Sequence, residues 1–269
     1  MKHRFSLVAL VATTALVVVA PSAASARTTI SMSGSTSVAP LASKLARGYL
    51  RAKPNSVSFR LAQGGSDVGI ADVAAGRVTI GNSSRDPKPT DPGGLVFNKI
   101  ARDAICIATH PNNKVSGLSQ EQVQAIFSGQ VRDWGQIAGA GVSGPIDVVV
   151  RTAASGTQDA FAKIFMGTSK VSSSAAQKAS NGLVAQSIKT NPNAVGYVSL
   201  AFTKGLNDAR YKGVACDLRN AKSGQYEGTR NFWMVTRGAS TGAARKFIGW
   251  IRNNAAAAKI TATGWVPLR

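Results

Sequence analysis

The sequence predicts an α/β protein of two lobes, and three observations carry the prediction. Apolar runs of strand length at 57–62, 78–81, 104–108, 146–150, 195–200 and 232–236 alternate with segments of helical spacing. About 243 residues follow an N-terminal leader, enough for two cores of ordinary size. Clusters of small polar residues recur where a strand-like run gives way to a helix, the place where open α/β sheets gather ligands.

Taken in order, the chain opens with Lys2 and Arg4, an apolar run over 7–20, and Ala24-Ser25-Ala26. That is a secretory signal peptide cleaved after Ala26; its apolar run is too short to span a bilayer. No cysteine follows the cleavage site, so no lipid anchor is expected and the chain is expected to work outside the cytoplasm. Gly34-Ser35-Thr36-Ser37 then leads into a helix that has Pro40 in its first turn and Leu41, Leu45 and Tyr49 on one face. Gln63-Gly64-Gly65-Ser66-Asp67 opens a second helix, with Ser66 as the expected N-cap, Ile70 and Val73 as its apolar face, and Gly76 as its stop. Gly81-Asn82-Ser83-Ser84-Arg85 follows a short strand, and the Gly- and Pro-rich segments 85–94 and 138–145 read as loops. Ser119 and Gln122 form a capping box before Val123, Ile126 and Phe127, with Gly129 as the stop. Ala244, Phe247, Ile248 and Ile251 mark a core-facing helix near the end.

The run from Val148 to Phe161 places Arg151 after an apolar stretch and Ser155-Gly156-Thr157 at a helix mouth. Two hydroxyls, a close-approach glycine and a guanidinium fit an oxyanion socket on unpaired backbone N–H groups. The same residues fit an ordinary Ser/Thr cap beside a surface arginine.

The whole chain carries 32 basic and 12 acidic residues; without Lys2 and Arg4 the formal charge is +18. Such a field attracts small anions and an anionic cell envelope. The basic residues are scattered singly and no nucleic-acid-binding motif occurs, so no nucleic acid is expected. Cys106 and Cys216, the only cysteines, are expected to pair in an exported chain, and their spacing fits no metal site. Only His110 remains after cleavage; with no carboxylate pair of interpretable spacing and no G-x-S-x-G elbow, no catalytic residue, metal or cofactor is expected. A phosphate-ester hydrolase is the rival reading that those absences oppose.

The blocks G-S-T-S-V-A-P-L from Gly34, Q-G-G-S from Gln63, I-G-N-S-S-R from Ile80, L-S-Q-E-Q-V-Q-A-I-F-S-G before Trp134, R-T-A-A-S-G-T-Q-D-A-F from Arg151, A-V-G-Y-V-S-L from Ala194 and the terminal G-W-V-P-L resemble, in order and spacing, the phosphate-binding proteins (PstS family) of bacterial phosphate ABC transporters. The resemblance implies a type II periplasmic-binding-protein fold, a Venus flytrap of two lobes with mixed sheets flanked by helices. It implies lobe one over 27–104 and 231–269, lobe two over 105–230, and a hinge near 101–105 and 230–233. It further implies a monomer that binds inorganic phosphate through Thr36, Ser37, Ser66 and Ser84 of lobe one and Arg151, Ser155, Gly156 and Thr157 of lobe two, then delivers it to a permease. Serine at 84 and alanine at 153 stand where many members carry aspartates, which leaves sulfate, arsenate or a scavenging or sensing role open. Asp67 is the expected substitute proton acceptor, the alternative being that it only serves the helix dipole.

Overall fold

One long strand that runs through both halves of the molecule organises the fold. The computed structural model describes residues 27–268; the expected signal peptide and cleavage site lie outside the described residues. Strands β1 (Thr29–Gly34), β2 (Ser58–Leu61) and β3 (Ile80–Ser83) are joined by helices α1 (Ala39–Ala52) and α2 (Ser66–Ala74). The fifteen-residue β4 (Leu95–Thr109) then crosses into the second half. There β5 (Gly117–Leu118), α3 (Gln120–Ser128), β6 (Asp147–Arg151), α4 (Gly156–Phe161), β7 (Ala176–Lys178), α5 (Asn181–Thr190), β8 (Ala194–Ser199), β9 (Asn207–Tyr211) and α6 (Leu218–Ser223) follow. The chain returns through β10 (Thr229–Arg237) and ends in α7 (Gly242–Asn253) and α8 (Ala255–Thr261).

The main sheet runs β2-β1-β3-β10-β4-β8-β6-β7, with β9 also paired to β4. The neighbours β1, β2 and β3 are parallel, as are β8, β6 and β7, because each set is linked by crossover helices. Around β4 the pairing is antiparallel: residues Leu95 to Ala104 pair with β10, and Ile105 to Thr109 with β8. The same strand therefore belongs to two different packing environments.

Two large cores flank that change of partner. One gathers Ile30, Leu41, Leu45, Ile80, Ala101, Phe232, Phe247 and Trp265; the other gathers Ile105, Val123, Phe127, Trp134, Phe161, Tyr197 and Tyr226. Full burial of each such side chain contributes roughly 1.5–3 kcal/mol. The result is a two-lobe α/β fold with a curled mixed sheet flanked by helices.

Local signals explain most boundaries. Ser119 and Gln122 form the reciprocal capping box of α3, and Gly129 ends it in the left-handed region at φ 80°. Pro40 lies in the first turn of α1, and α7 buries Ala244, Phe247, Ile248 and Ile251. Cys106 and Cys216 form the expected disulfide, both against the second core. Two readings shift. Ser66 is the first residue of α2 rather than its cap, Gly65 taking the cap position. The strand read over 104–108 is the second half of β4, whose more polar first half, Leu95 to Asp103, lacked a sustained apolar signal.

Candidate functional site

Three loops of the first half and one of the second meet where β4 changes partners. The turn after β1 brings Ser35, Thr36 and Ser37; the start of α2 brings Ser66; the end of β3 brings Ser84; the β6–α4 junction brings Arg151, Ser155, Gly156 and Thr157. All of these side chains are buried. The approach is close: a Cβ on Gly156 would fall on Ser66 Oγ and within 2.9 Å of the Arg85 backbone nitrogen, so only glycine fits. Ser37 Oγ lies 2.9 Å from Thr157 Oγ1, joining the two halves directly, and the Asp67 backbone N–H donates across to Ala154 O at 3.1 Å.

The direction of the hydrogen bonds defines what the nest can bind. Each hydroxyl has two acceptor lone pairs and one proton. Ser37 Oγ accepts from Asn181 Nδ2 and Arg230 Nη2, each at 2.8 Å, so its own proton passes to Thr157 Oγ1. Thr36 Oγ1 accepts from the Asn181 backbone N–H at 3.4 Å and from its Nδ2 at 2.9 Å. Ser84 Oγ accepts from Ser35 Oγ at 2.8 Å and Arg230 Nη1 at 3.4 Å. Ser155 Oγ accepts from the backbone N–H groups of Thr157 and Gln158, capping α4. With their lone pairs filled, Thr36, Ser155 and Thr157 have protons left to give, and only an acceptor-rich ligand satisfies them.

Two guanidiniums reach the nest. Arg151 is held by carbonyls: its Nε donates to Lys178 O at 3.1 Å and its Nη2 to Ala179 O at 2.8 Å, while Nη1 faces Thr157 Oγ1 at 3.5 Å. It has no carboxylate partner among the described residues, and burial pulls its pKa down to about 10, with Tyr197 opposing and Arg230 adding to the fall. Arg230, opposite Asp103 in the β10–β4 ladder, pairs with it through Nε at 3.2 Å and Nη2 at 2.9 Å. Burial pushes the Asp103 carboxyl up, against the pull of Arg230, and lowers Arg230. Asp103 Oδ1 also accepts from Ser199 Oγ at 2.9 Å.

Asp67 lies elsewhere. Its Oδ1 accepts from Arg85 Nε at 2.6 Å, its side chain is 43 % exposed, and no hydrogen bond joins it to the hydroxyls of the nest. The ion pair gives that carboxylate a different task from the one expected. The carboxylate that touches the nest's own partners is Asp103.

Sequence reasoning missed Arg230, Asp103, Asn181 and Ser199. Arg230 and Asp103 fell inside the expected hinge segments without being read as a charge pair. Asn181 follows the N-cap Ser180, and Ser199 closes the A-V-G-Y-V-S block; neither spacing points to a ligand.

Residues 19–254 match the family model described as a PBP superfamily domain, so the chain belongs to that superfamily of binding proteins. A Clostridium perfringens substrate-binding protein assigned to phosphate ABC transport, solved with bound phosphate, is 30 % identical; the match covers 90 % of this chain and 100 % of that one, with a TM-score of 0.84. Within the superfamily the chain is a member of the PstS family. An ABC-type phosphate transport receptor from Vibrio cholerae is 27 % identical over 88 % of this chain and 99 % of its own, with a TM-score of 0.71. The phosphate-binding protein PstS of Bacillus subtilis is 25 % identical over 245 residues, 89 % of this chain and 80 % of the relative.

Proposed function

We propose that the chain is an extracytoplasmic solute-binding protein that captures inorganic phosphate between its lobes and delivers it to the permease of an ABC transporter. The observation that carries the reading is the nest itself: the hydroxyls of Thr36, Ser155 and Thr157, with filled lone pairs and protons to spare, closed by two guanidiniums. The names of its relatives agree with that chemistry. Thr36, Ser37, Ser66, Ser84, Arg151, Ser155, Gly156 and Thr157 form the binding set, with Arg230 as a second cation and Asn181 as an organiser of Thr36 and Ser37.

Lobe one comprises 27–104 and 231–269, and lobe two comprises 105–230, in keeping with the two cores. Phosphate touching both lobes stabilises the closed arrangement by differential binding. Asp103, acting through Ser199, replaces the acceptor absent at Ser84: a serine whose proton is committed to a carboxylate presents only lone pairs, which suits a P–OH group and rejects fully ionised sulfate. Binding rather than turnover fits the site, since the nest holds no histidine and His110 sits in a turn, its Nδ1 accepting from the Asn112 N–H.

Calorimetric titration with phosphate, arsenate and sulfate at pH 6 and pH 8 tests the reading. Phosphate and arsenate are expected to bind one per chain and sulfate weakly at both pH values; sulfate binding as tightly as phosphate would overturn it.

A further inference from the structure

Arg230 lines not only the nest but also a separate cleft of about 490 Å³ between the two halves. Most charges there are already matched. Arg85 is paired with Asp67 and Asp91, both at 2.6 Å, and these carboxylates hold it protonated against the effect of burial. Asp86 Oδ1 accepts from Asn231 Nδ2 and Trp233 Nε1, each at 3.0 Å. Asp159 is shared by Lys88 at 2.6 Å and Lys163 at 3.1 Å, two cations on one carboxylate.

What remains is positive by a single charge: Lys99, Arg102 and the second lysine on Asp159 stand against the second carboxylate on Arg85 and Asp86, which only neutral N–H groups hold. Lys99 and Arg102, both on β4, have no carboxylate partner among the described residues. Arg102 is nevertheless fixed in place: Nη2 donates to Ala221 O at 3.0 Å and Thr229 Oγ1 at 3.4 Å, which leaves Nε and Nη1 unengaged. Lys163 faces them from the π-helical turn Ala162–Met166 that continues α4. An anchored fork and two flexible ammonium groups around so large a space match an anion longer than a single tetrahedral group.

We propose that this cleft is a second anion site, distinct from the nest, which takes a condensed phosphate of two or three phosphoryl groups across Lys99, Arg102 and Lys163. Because those cations come from both halves of the molecule, an anion bridging them favours the closed arrangement and is coupled positively to ligand in the nest.

The test titrates pyrophosphate into the Arg151→Ala protein, whose nest is disabled while the cleft is intact. One-to-one binding that weakens as salt rises is expected. Adding Lys99→Gln and Lys163→Gln, both at exposed or half-exposed positions that leave the Arg102 contacts intact, is expected to weaken it about tenfold. No binding to Arg151→Ala, or binding unchanged by the double substitution, overturns the proposal. In the unsubstituted protein, pyrophosphate added after saturation with phosphate is expected to bind alongside it and slow its release. Displacement of phosphate one for one would place both anions in the nest and overturn the second site. A chain that binds no phosphate at all would defeat the transport reading, and the Arg151→Ala titration would still decide this one.

Discussion

Arg151 and Arg230 lie in one nest, Arg151 against Thr157 and Arg230 against Ser37 and Ser84, yet they are neutralised differently. Arg230 has Asp103 directly across the strand ladder, so its charge is compensated before any ligand arrives. Arg151 has only two carbonyls and a threonine hydroxyl around its guanidinium. A buried cation held by neutral dipoles is costly, and an anion removes that cost. On the proposed function the difference separates two tasks: Arg230 fixes the architecture where the chain passes between lobes, and Arg151 makes closure conditional on an anion.

The largest effect that would break this comparison is in Asp103. Asp103→Asn leaves Arg230 buried without its counter-charge and is expected to cost about 3–5 kcal/mol of folding stability, measured by urea denaturation. A loss under 1 kcal/mol would show that Arg230 is no better anchored than Arg151. Next is Arg151→Met, expected to weaken phosphate binding about a hundredfold through lost charge-assisted contacts while the unliganded protein keeps or gains stability. An unliganded protein destabilised as much as Asp103→Asn would erase the distinction. The smallest is Ser199→Ala, which removes one donor from Asp103 at about 1 kcal/mol. Its sharper readout is selectivity: the ratio of phosphate to sulfate affinity is expected to fall, and an unchanged ratio would remove Ser199 from the proton-reading role.

The legible part of the molecule was the part governed by local rules. The capping box at Ser119 and Gln122, the stop at Gly129 and the apolar face of α7 are set by neighbours within a few residues, and all three stand in the structure as expected. The loops bearing Thr36, Ser37, Ser66 and Thr157 were legible because hydroxyl-rich strand-to-helix turns recur, whereas the loop bearing Ser84 leads from β3 to β4 with no helix between them. Arg230 and Asp103 were not, because their partnership spans 127 positions and depends on an antiparallel register that no local pattern encodes. Ser66 shows the same limit at short range. Its hydroxyl accepts from the Ser84 N–H at 3.0 Å instead of capping α2, so a residue type suited to either job was claimed by a tertiary contact.

The two cores differ in how their residues lie along the chain, and this bears on the order in which they can form during synthesis. Apart from Val266, the core around Phe127 and Tyr197 is built from one continuous stretch, Ala104 to Tyr226, and carries the single disulfide. The other core needs Ile30 to Ala101 together with Phe232 to Trp265. The inner stretch can collapse and form its disulfide as soon as Tyr226 is available. The outer one waits for the last residues, when Val266 pairs with Arg102 on the long strand and the chain's end is stitched to its middle. A truncation of even a few C-terminal residues therefore strikes the half of the molecule that was made first.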